Sequence, residues 1–423
     1  MTYIPGKKPK KTGSHGGVIA ALDIGSSKIC CLIARTDDPA GIRVIGFGHT
    51  SSQGVRAGSI VNMEDAEAAI ANAVHAAEQM AGVTAHDVFV NVSGGHPTSL
   101  MLGVEVAILD QEVSDVDLRR ALAQGRAQHR IPENEVIHAI PVSYSLDGNR
   151  GIRDPRGMFG DRLGVQLHMV TASSGPLRNL ATCIARCHLD IEGSAVSPYA
   201  SGLASLVEDE LDLGCTCIDL GGGTTSLAVF SEGNLLFTDC IAVGGSHVTS
   251  DIARGLATPL GHAERMKILH GNAMSSSADE REMITVPLVG EDERTQTNQV
   301  PKSHLVRIIR PRLEEIFELV RSRLEASGAD AYSGRRVVLT GGGAQLPAIR
   351  ELAQQVLDKQ VRIGRPSRVS GLPEAASGPA FATAAGLLIQ ATRQHTELTI
   401  SSPAVAVPGS FMGRFSNWLR EHL

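Results

Sequence analysis

The sequence predicts an α/β protein built from two related halves, with a small α+β insertion inside the first half and an amphipathic helix at the C-terminus. The first observation is an internal echo. Ile19 to Ala34 reads IAALDIGSSKICCLIA, and Cys215 to Phe230 reads CTCIDLGGGTTSLAVF. Each is an apolar run ending in Asp, then a hydrophobic residue, Gly, a turn of small residues with Ser or Thr, and a second apolar run. Short continuous apolar runs around a small-residue turn read as a β-hairpin of largely buried strands. The second observation is VVLTGGGAQLPAIRELAQQV, Val337 to Val356, where a strand runs into three glycines and then a helix with Pro347 expected in its first turn. The third is the stretch from about His96 to Thr171, which alternates strand-like pieces (LGVEVAIL, VIHAIPVSYSL, LGVQLHMV) with one helical segment near Val116 to Gln128.

The remaining elements follow in order. Glu64 to Met80 is Ala-rich and helix-like, Gly175 to Cys187 reads as a helix, Leu189 to Ser194 as a strand, and Tyr199 to Glu208 as another helix. Asp251 to Gly271 is expected to be helical. Asn272 to His304 is polar, with SSS and GEDERTQTNQ, and reads as surface loops and short strands. Leu313, Ile316, Phe317, Val320 and Leu324 form a helical stripe expected to start after Pro311. Gln394 to Pro408 lacks core-like patterning and reads as a linker.

Composition bounds the function. With 42% hydrophobic and 20% charged residues, the 423-residue chain has the make-up of a globular protein of several subdomains. A formal charge of -6 disfavours a nucleic-acid partner, which calls for a basic face to replace phosphate counterions. The one basic run, Lys7 to Lys11, is either a solvated tail or a weak attraction to an anionic surface. Seven cysteines without paired CxxC spacing fit buried thiols in a reducing cytosol, and the fifteen histidines form no HExxH cluster. Neither a signal peptide nor a bilayer-spanning run is expected.

The turns suggest their own chemistry. A buried strand delivers Asp23 to a tight turn in which Gly25 admits a ligand to the backbone. The N–H groups of Gly25 to Lys28 and the Ser26 and Ser27 hydroxyls can cradle phosphate oxygens, and Lys28 adds a cation. Asp219, Gly221, Gly222, Gly223, Thr224 and Thr225 supply the same parts a second time. Two such turns facing each other would grip a phosphate tail, with Asp23 and Asp219 holding Mg²⁺ through water. The third turn, Gly341, Gly342 and Gly343, has no acid and could let an adenine and ribose lie against bare backbone. There is no GxxxxGK[ST] P-loop and no strand followed by GxGxxG.

The order of LDIGSSK, CIDLGGGTTS and VVLTGGGAQLP resembles the actin-like ATPase superfamily. VGGSHVTSDIA, AERMK with Gly271, IIRPRLEEIFELV and SFMGRFSNWLREHL narrow the resemblance to the FtsA family of bacterial cell-division proteins. It runs from about Ile19 to Leu423. The resemblance implies an actin-like two-domain ATPase fold: a tail at 1–17, subdomain 1A at 18–95, 172–207 and 366–393, a 1C insertion at 96–171, subdomain 2A at 208–250 and 329–365, subdomain 2B at 251–328, a linker at 394–408 and a membrane-targeting helix at 409–423. It carries Asp23, Gly25, Ser26, Ser27 and Lys28 to the first phosphate motif and Asp219 with Gly221 to Thr225 to the second. Gly245 falls in the turn after the second hairpin, Glu264 and Lys267 face the nucleoside, and Gly341 to Gly343 form the adenosine motif. ATP and Mg²⁺ are the implied cofactors. One departure stands out: where hydrolytic relatives have an acidic residue before the Pro corresponding to Pro198, this chain has Ser197, whose hydroxyl can orient water but is a poor general base.

The implied partners are the C-terminal tail of the tubulin-like protein FtsZ, further copies of the chain in a filament, later division membrane proteins and the bilayer surface, at the cytoplasmic face of the inner membrane. Lys302, Arg307 and Arg310 could help at the FtsZ contact or form a solvated helix face. On a helical wheel, Phe411, Met412, Phe415, Trp418, Leu419 and Leu423 fall within an arc of about 140°. Such a helix either docks on its own core or lies in a membrane interface. A sugar-kinase-like phosphotransferase of the same superfamily is the alternative reading; it would need a carbohydrate pocket with a general base and has no use for the amphipathic tail.

Overall fold

The computed structural model describes residues 17–38, 41–128, 131–290 and 297–401. The first half opens with an antiparallel meander, β1 (Val18–Ile24), β2 (Lys28–Arg35) and β3 (Arg43–Ser51). A small hairpin, β4 (Val55–Arg56) and β5 (Ser59–Ile60), leads to helix α1 (Met63–Ala81) and strand β6 (Asp87–Val92). The chain then leaves for the insertion: β7 (Thr98–Ala107), α2 (Asp115–Gln128), β8 (Asn134–Leu146), β9 (Asn149–Ile152) and β10 (Arg162–Ser173). It returns through α3 (Ser174–Arg186), β11 (Asp190–Val196) and α4 (Ser197–Ser205).

A short helix, α5 (Glu208–Leu213), leads into the second half, β12 (Cys215–Leu220), β13 (Thr225–Ser231) and β14 (Asn234–Ile241). Helices α6 (Gly245–Gly255) and α7 (Leu260–His270), the hairpin β15 (Met283–Pro287) and β16 (Thr297–Pro301), and the long α8 (Lys302–Ser327) follow. Then come β17 (Arg336–Thr340), α9 (Ile349–Leu357) and β18 (Gln360–Ile363), and α10 (Ala382–Ser401) crosses back to the first half.

The two halves share one topology. The first sheet runs β11-β6-β1-β2-β3, and the second contains β18-β17-β12-β13-β14 in the corresponding order. In each, a hairpin strand pairs antiparallel with its partner and parallel with the strand that follows the first helices. The echo in the sequence is therefore a duplicated sheet.

Alternation along the strands explains why these runs are apolar throughout. In β1, Ile19 and Ala21 face α4 and α10, whereas Ala20, Leu22 and Ile24 face α1 and α3. In β12, Cys215 and Cys217 share the α4 and α10 core, while Ile218 and Leu220 pack with α6, α8 and α9. Helices α4 and α10 are thus the middle of a five-layer stack, and each fully buried large side chain contributes about 1.5–3 kcal/mol. Local signals agree: Asn62 caps α1 by accepting from the Glu64 and Asp65 amides, and Gly82 ends it in the left-handed conformation.

Several elements differ from their sequence expectations. The helix expected through Glu208 starts at Ser197 and stops at Ser205, because Leu206 turns extended. The helix expected over Asp251 to Gly271 is two helices, separated where Ala257 takes φ 47° and Pro259 precedes α7. Pro311 does not start α8 but lies inside it; the helix tolerates the lost hydrogen bond because Leu305, Ile309, Leu313 and Phe317 are buried on both sides of it. Pro347 sits ahead of α9, since Ala348 at φ 58° breaks the path and a 3-10 turn occupies Gly342–Gln345. Helix α10 continues to Ser401, so the first half of the stretch read as a linker is helical. The basic run at Lys7 to Lys11 and the tail helix with Phe411, Met412, Phe415, Trp418, Leu419 and Leu423 lie outside the described residues.

The insertion also does something its local sequence does not reveal. Its sheet, β7-β10-β8-β9, joins the edge of the second half through β14, with Thr98 opposite Asp239. The Ser99 hydroxyl donates to the Thr238 carbonyl at 3.0 Å and accepts the Thr238 amide at 2.9 Å. Covalently part of the first half, the insertion is hydrogen-bonded to the second.

Candidate nucleotide-binding site

The hairpin turns have the same geometry. Gly25 donates its amide to the Lys28 carbonyl at 3.0 Å, and Gly221 donates to the Thr224 carbonyl at 2.9 Å. A side chain on Gly25 or on Gly221 would meet that same carbonyl at 2.9 Å, so both turns require glycine at that position. The turns then pack on each other: a Cβ at Gly222 would lie 2.8 Å from Ser27, and one at Gly223 would lie 2.5 Å from the Ser26 hydroxyl. The Ser26 hydroxyl itself accepts the Gly58 amide at 2.9 Å.

Both acids are buried at the floor of this cleft. Asp23 is 6% exposed and meets the Lys28 ammonium at 3.4 Å, which also lies 4.4 Å above the Phe381 ring. Burial raises the Asp23 carboxyl above its usual range, and Lys28 pulls it back. Asp219 is held from the other half: Ser201 of α4 donates to its Oδ2 at 2.5 Å and Thr383 of α10 at 2.9 Å. Burial raises this carboxyl too; the two hydroxyls oppose the rise, and the charge of Asp23 adds to it. A pair of mutually repelling, desolvated carboxylates fits a hard divalent cation. Among the described residues no three His, Cys, Asp or Glu side chains converge as a metal cage, so the remaining ligands would be water and phosphate oxygens.

The cleft is lined by Asp23, Gly25, Ser26, Ser27, Lys28, Ser197, Asp219, Gly221, Gly222, Gly223, Thr224, Gly341 and Gly342, all anticipated, and by Asn91, Ser93, Ser226, Ala380 and Thr383, which were not. Gly341 takes φ 87°, and a Cβ there would lie 2.4 Å from Asp219 Oδ1. Gly342 has nothing within 4 Å of such an atom and opens toward the cleft. Gly343 packs on Leu220 instead.

Four further predicted residues play different parts. The Thr225 hydroxyl faces away and donates to the Val243 carbonyl at 2.7 Å. The amide of Gly245 donates to Gly221 at 2.9 Å, so the start of α6 braces the second turn. Lys267 binds the Gly245 carbonyl at 3.0 Å, the Thr249 hydroxyl at 2.8 Å and Glu264 at 2.7 Å, tying α7 to α6. Asn91 was visible in principle as the one amide in the buried strand DVFVNV, and Ser201 as the residue one helical turn beyond Ser197.

The space enclosed between the turns is about 70 Å³. Small-molecule sites typically occupy about 300–1,000 Å³. The cleft therefore stands closed on a space smaller than a typical small-molecule site.

A duplicated sheet with two Asp-bearing hairpin turns and a third glycine turn across one cleft defines a protein of the actin-like fold. Solved structures agree on the fold: the PilM–PilN type IV pilus biogenesis complex matches with a TM-score of 0.62 at 17% identity, covering 88% of this chain and 98% of that one. MreB5 of Spiroplasma citri bound to AMPPNP matches with a TM-score of 0.54 at 14% identity, covering 91% and 100%. The family description "Cell division protein FtsA" matches residues 216–386, and "SHS2 domain inserted in FTSA" matches residues 94–171. The cell-division protein FtsA of Rhizobium meliloti (strain 1021) is 45% identical over 431 residues, spanning 99% of this chain and 97% of its own length. That of Escherichia coli (strain K12) is 31% identical over 413 residues, spanning 96% and 98%. The chain belongs to the FtsA family of cell-division proteins.

Proposed function

We propose that the chain binds ATP with Mg²⁺ in this cleft, polymerises, and tethers the FtsZ ring to the cytoplasmic face of the inner membrane through its C-terminal amphipathic helix, helping to recruit later division proteins. The observation that carries the nucleotide reading is the pair of matching turns, each presenting a buried aspartate beside a glycine whose added side chain would meet the turn's own carbonyl. MreB5 of Spiroplasma citri, a fold neighbour, has been solved with ADP and with AMPPNP. Asp23 and Asp219 would hold the cation through water. Ser26, Ser27, Lys28 and Thr224 would hold phosphate oxygens, and Gly341 and Gly342 would face the nucleoside. The bound cation would neutralise developing phosphate charge.

Hydrolysis is expected to be slow. The Ser197 hydroxyl accepts from the Asn91 amide at 3.1 Å and lies 3.5 Å from the Val92 carbonyl, and no carboxylate stands at its position. A serine hydroxyl does not serve as a general base at neutral pH. A phosphate-release assay returning many turnovers per minute would overturn this.

Among the described residues no helix is long and apolar enough to cross a membrane, and the attachment proposed here is through the terminal segment. A helix that short is a weak anchor alone, and polymerisation would replace affinity by avidity. Liposome co-sedimentation of the full chain against a truncation after Pro408, with ATP or ADP and with or without FtsZ, tests the whole reading. Sedimentation is expected to need the tail and to rise with ATP and FtsZ. Equal pelleting of the truncated and full chains would refute the membrane role.

A further inference from the structure

We infer that His138, a residue of the insertion, is a positioning residue for the nucleotide cleft, acting through the Val196 amide on Ser197 and through Asn91 on the first phosphate turn. The inference rests on the nucleotide reading of the cleft given above.

The connection is continuous and buried. His138 sits on β8, is 5% exposed, and its Nε2 accepts the Val196 amide at 3.0 Å. Val196 ends β11 and is the residue before Ser197, the first residue of α4. The first amides of a helix have no partner within it, and Val196 stands just ahead of them. An acceptor from another module thus fixes the angle at which α4 starts. The imidazole also packs edge-on against Tyr199, with ring centroids 5.4 Å apart, so the ring holds the first turn of α4 by two contacts.

From Ser197 the link reaches the phosphate turn. The Asn91 side chain, 3% exposed, donates to the Ser197 hydroxyl at 3.1 Å. Its Oδ1 accepts the Ile24 amide at 2.7 Å, immediately before Gly25. Asn91 and Ser197 both line the cleft. A leucine at position 91 would leave the Ile24 amide buried without a partner, and an apolar ring at 138 would do the same to Val196. Accepting from Val196 requires Nε2 to be unprotonated, and burial beside His168 depresses the imidazole to about 3, so the acceptor persists across the physiological range.

The test uses the full chain and a fluorescent ATP analogue and its ADP counterpart, with Mg²⁺ present, on His138→Phe, His138→Gln and Asn91→Leu. His138→Phe keeps a ring against Tyr199 but loses the acceptor; glutamine retains one. ATP-analogue affinity is expected to fall about tenfold in His138→Phe and in Asn91→Leu, and to return to within about threefold of the parent in His138→Gln. The melting temperature of each ligand-free variant is measured beside it. If His138→Phe and Asn91→Leu bind as tightly as the parent, or if His138→Gln is as weak as His138→Phe while melting like the parent, the positioning role is wrong. Should His138→Phe fail to fold, Asn91→Leu and His138→Gln still decide. If the parent itself binds neither analogue, the nucleotide reading has failed, and the inference with it.

Discussion

Gly386→Ala is expected to lower the stability of the protein by about 2 kcal/mol or more and to weaken nucleotide binding with it. A methyl group at position 386 would lie 1.7 Å from the Ala200 carbonyl oxygen and 2.3 Å from its carbon. Both are backbone atoms of α4, so no side-chain rotation relieves the overlap. The crossing is built from small residues on both sides, Ala200 and Ala204 of α4 against Ala384 and Ala385 of α10, which is what lets two helices sit between two sheets. Two effects compete. Alanine is the better helix former, by about 1 kcal/mol. Overpacking costs roughly 1–3 kcal/mol and more when backbone must move, and here it must. The second effect wins, and it reaches the site: the hydroxyls of Ser201 of α4 and Thr383 of α10 lie 2.8 Å apart and both donate to Asp219 Oδ2, so the carboxylate gathers one donor from each helix. Separating the helices separates these donors. Thermal unfolding without ligand, with nucleotide affinity measured in parallel, checks both parts. Gly261→Ala in the first turn of α7 is the control, because nothing lies within 4 Å of its added methyl, so only the helix preference acts and stability is expected to hold or to rise by up to about 1 kcal/mol. A Gly386→Ala protein that melts at or above the parent temperature would show that the layers have slack the geometry denies.

The turns were legible in the sequence because their constraints are local. An apolar run, an aspartate and a glycine specify a buried strand and a tight turn without reference to anything distant, and the duplication repeats the message. What was not legible depends on contacts far apart in the chain. Thr225 belongs to the second turn by sequence, yet its hydroxyl is drawn to Val243 across the neighbouring strand pair. Pro311 reads locally as a helix start, but Leu305, Val306 and Ile309 on its N-terminal side are buried, and their burial outweighs one lost hydrogen bond. Ser201 and Thr383 acquire meaning only when α10 returns to α4. The insertion's periodicity describes its own sheet and is silent on the edge of β14 that it joins. The closure of the cleft on about 70 Å³ is likewise a property of how the halves meet, to which no local pattern refers.

His168→Leu is expected to stabilise the protein, and to do so increasingly as the pH falls. His168 lies on β10 at 0% exposure, and neither ring nitrogen has a hydrogen-bond partner. At neutral pH the cost is that of two buried polar atoms without partners, roughly 1–3 kcal/mol, against which leucine loses under about 1.5 kcal/mol in fit. In acid the effect grows. Burial pushes the imidazole from 6.5 down to about 4, so the unfolded chain takes up a proton below pH 6.5 that the folded chain refuses until about pH 4. Stability from this group is therefore complete above pH 6.5 and lost progressively below it, by about 1.36 kcal/mol per pH unit. At pH 5 that is roughly 2 kcal/mol on top of the neutral-pH difference. The neighbouring His138 is depressed in the same direction, and the buried carboxyls of Asp23 and Asp219, raised by desolvation, act with the opposite sign. Asp23 and Asp219 are present in both proteins and cancel when one denaturation curve is subtracted from the other, so the difference reports His168 together with its charge coupling to His138. Denaturant unfolding of parent and variant at pH 7.5, 6 and 5 should give stability differences that widen at each step. Parallel curves would mean that the His168 ring is hydrated or paired in solution, and that the root of the insertion, where β10 carries it against β8, is wetter than its burial implies.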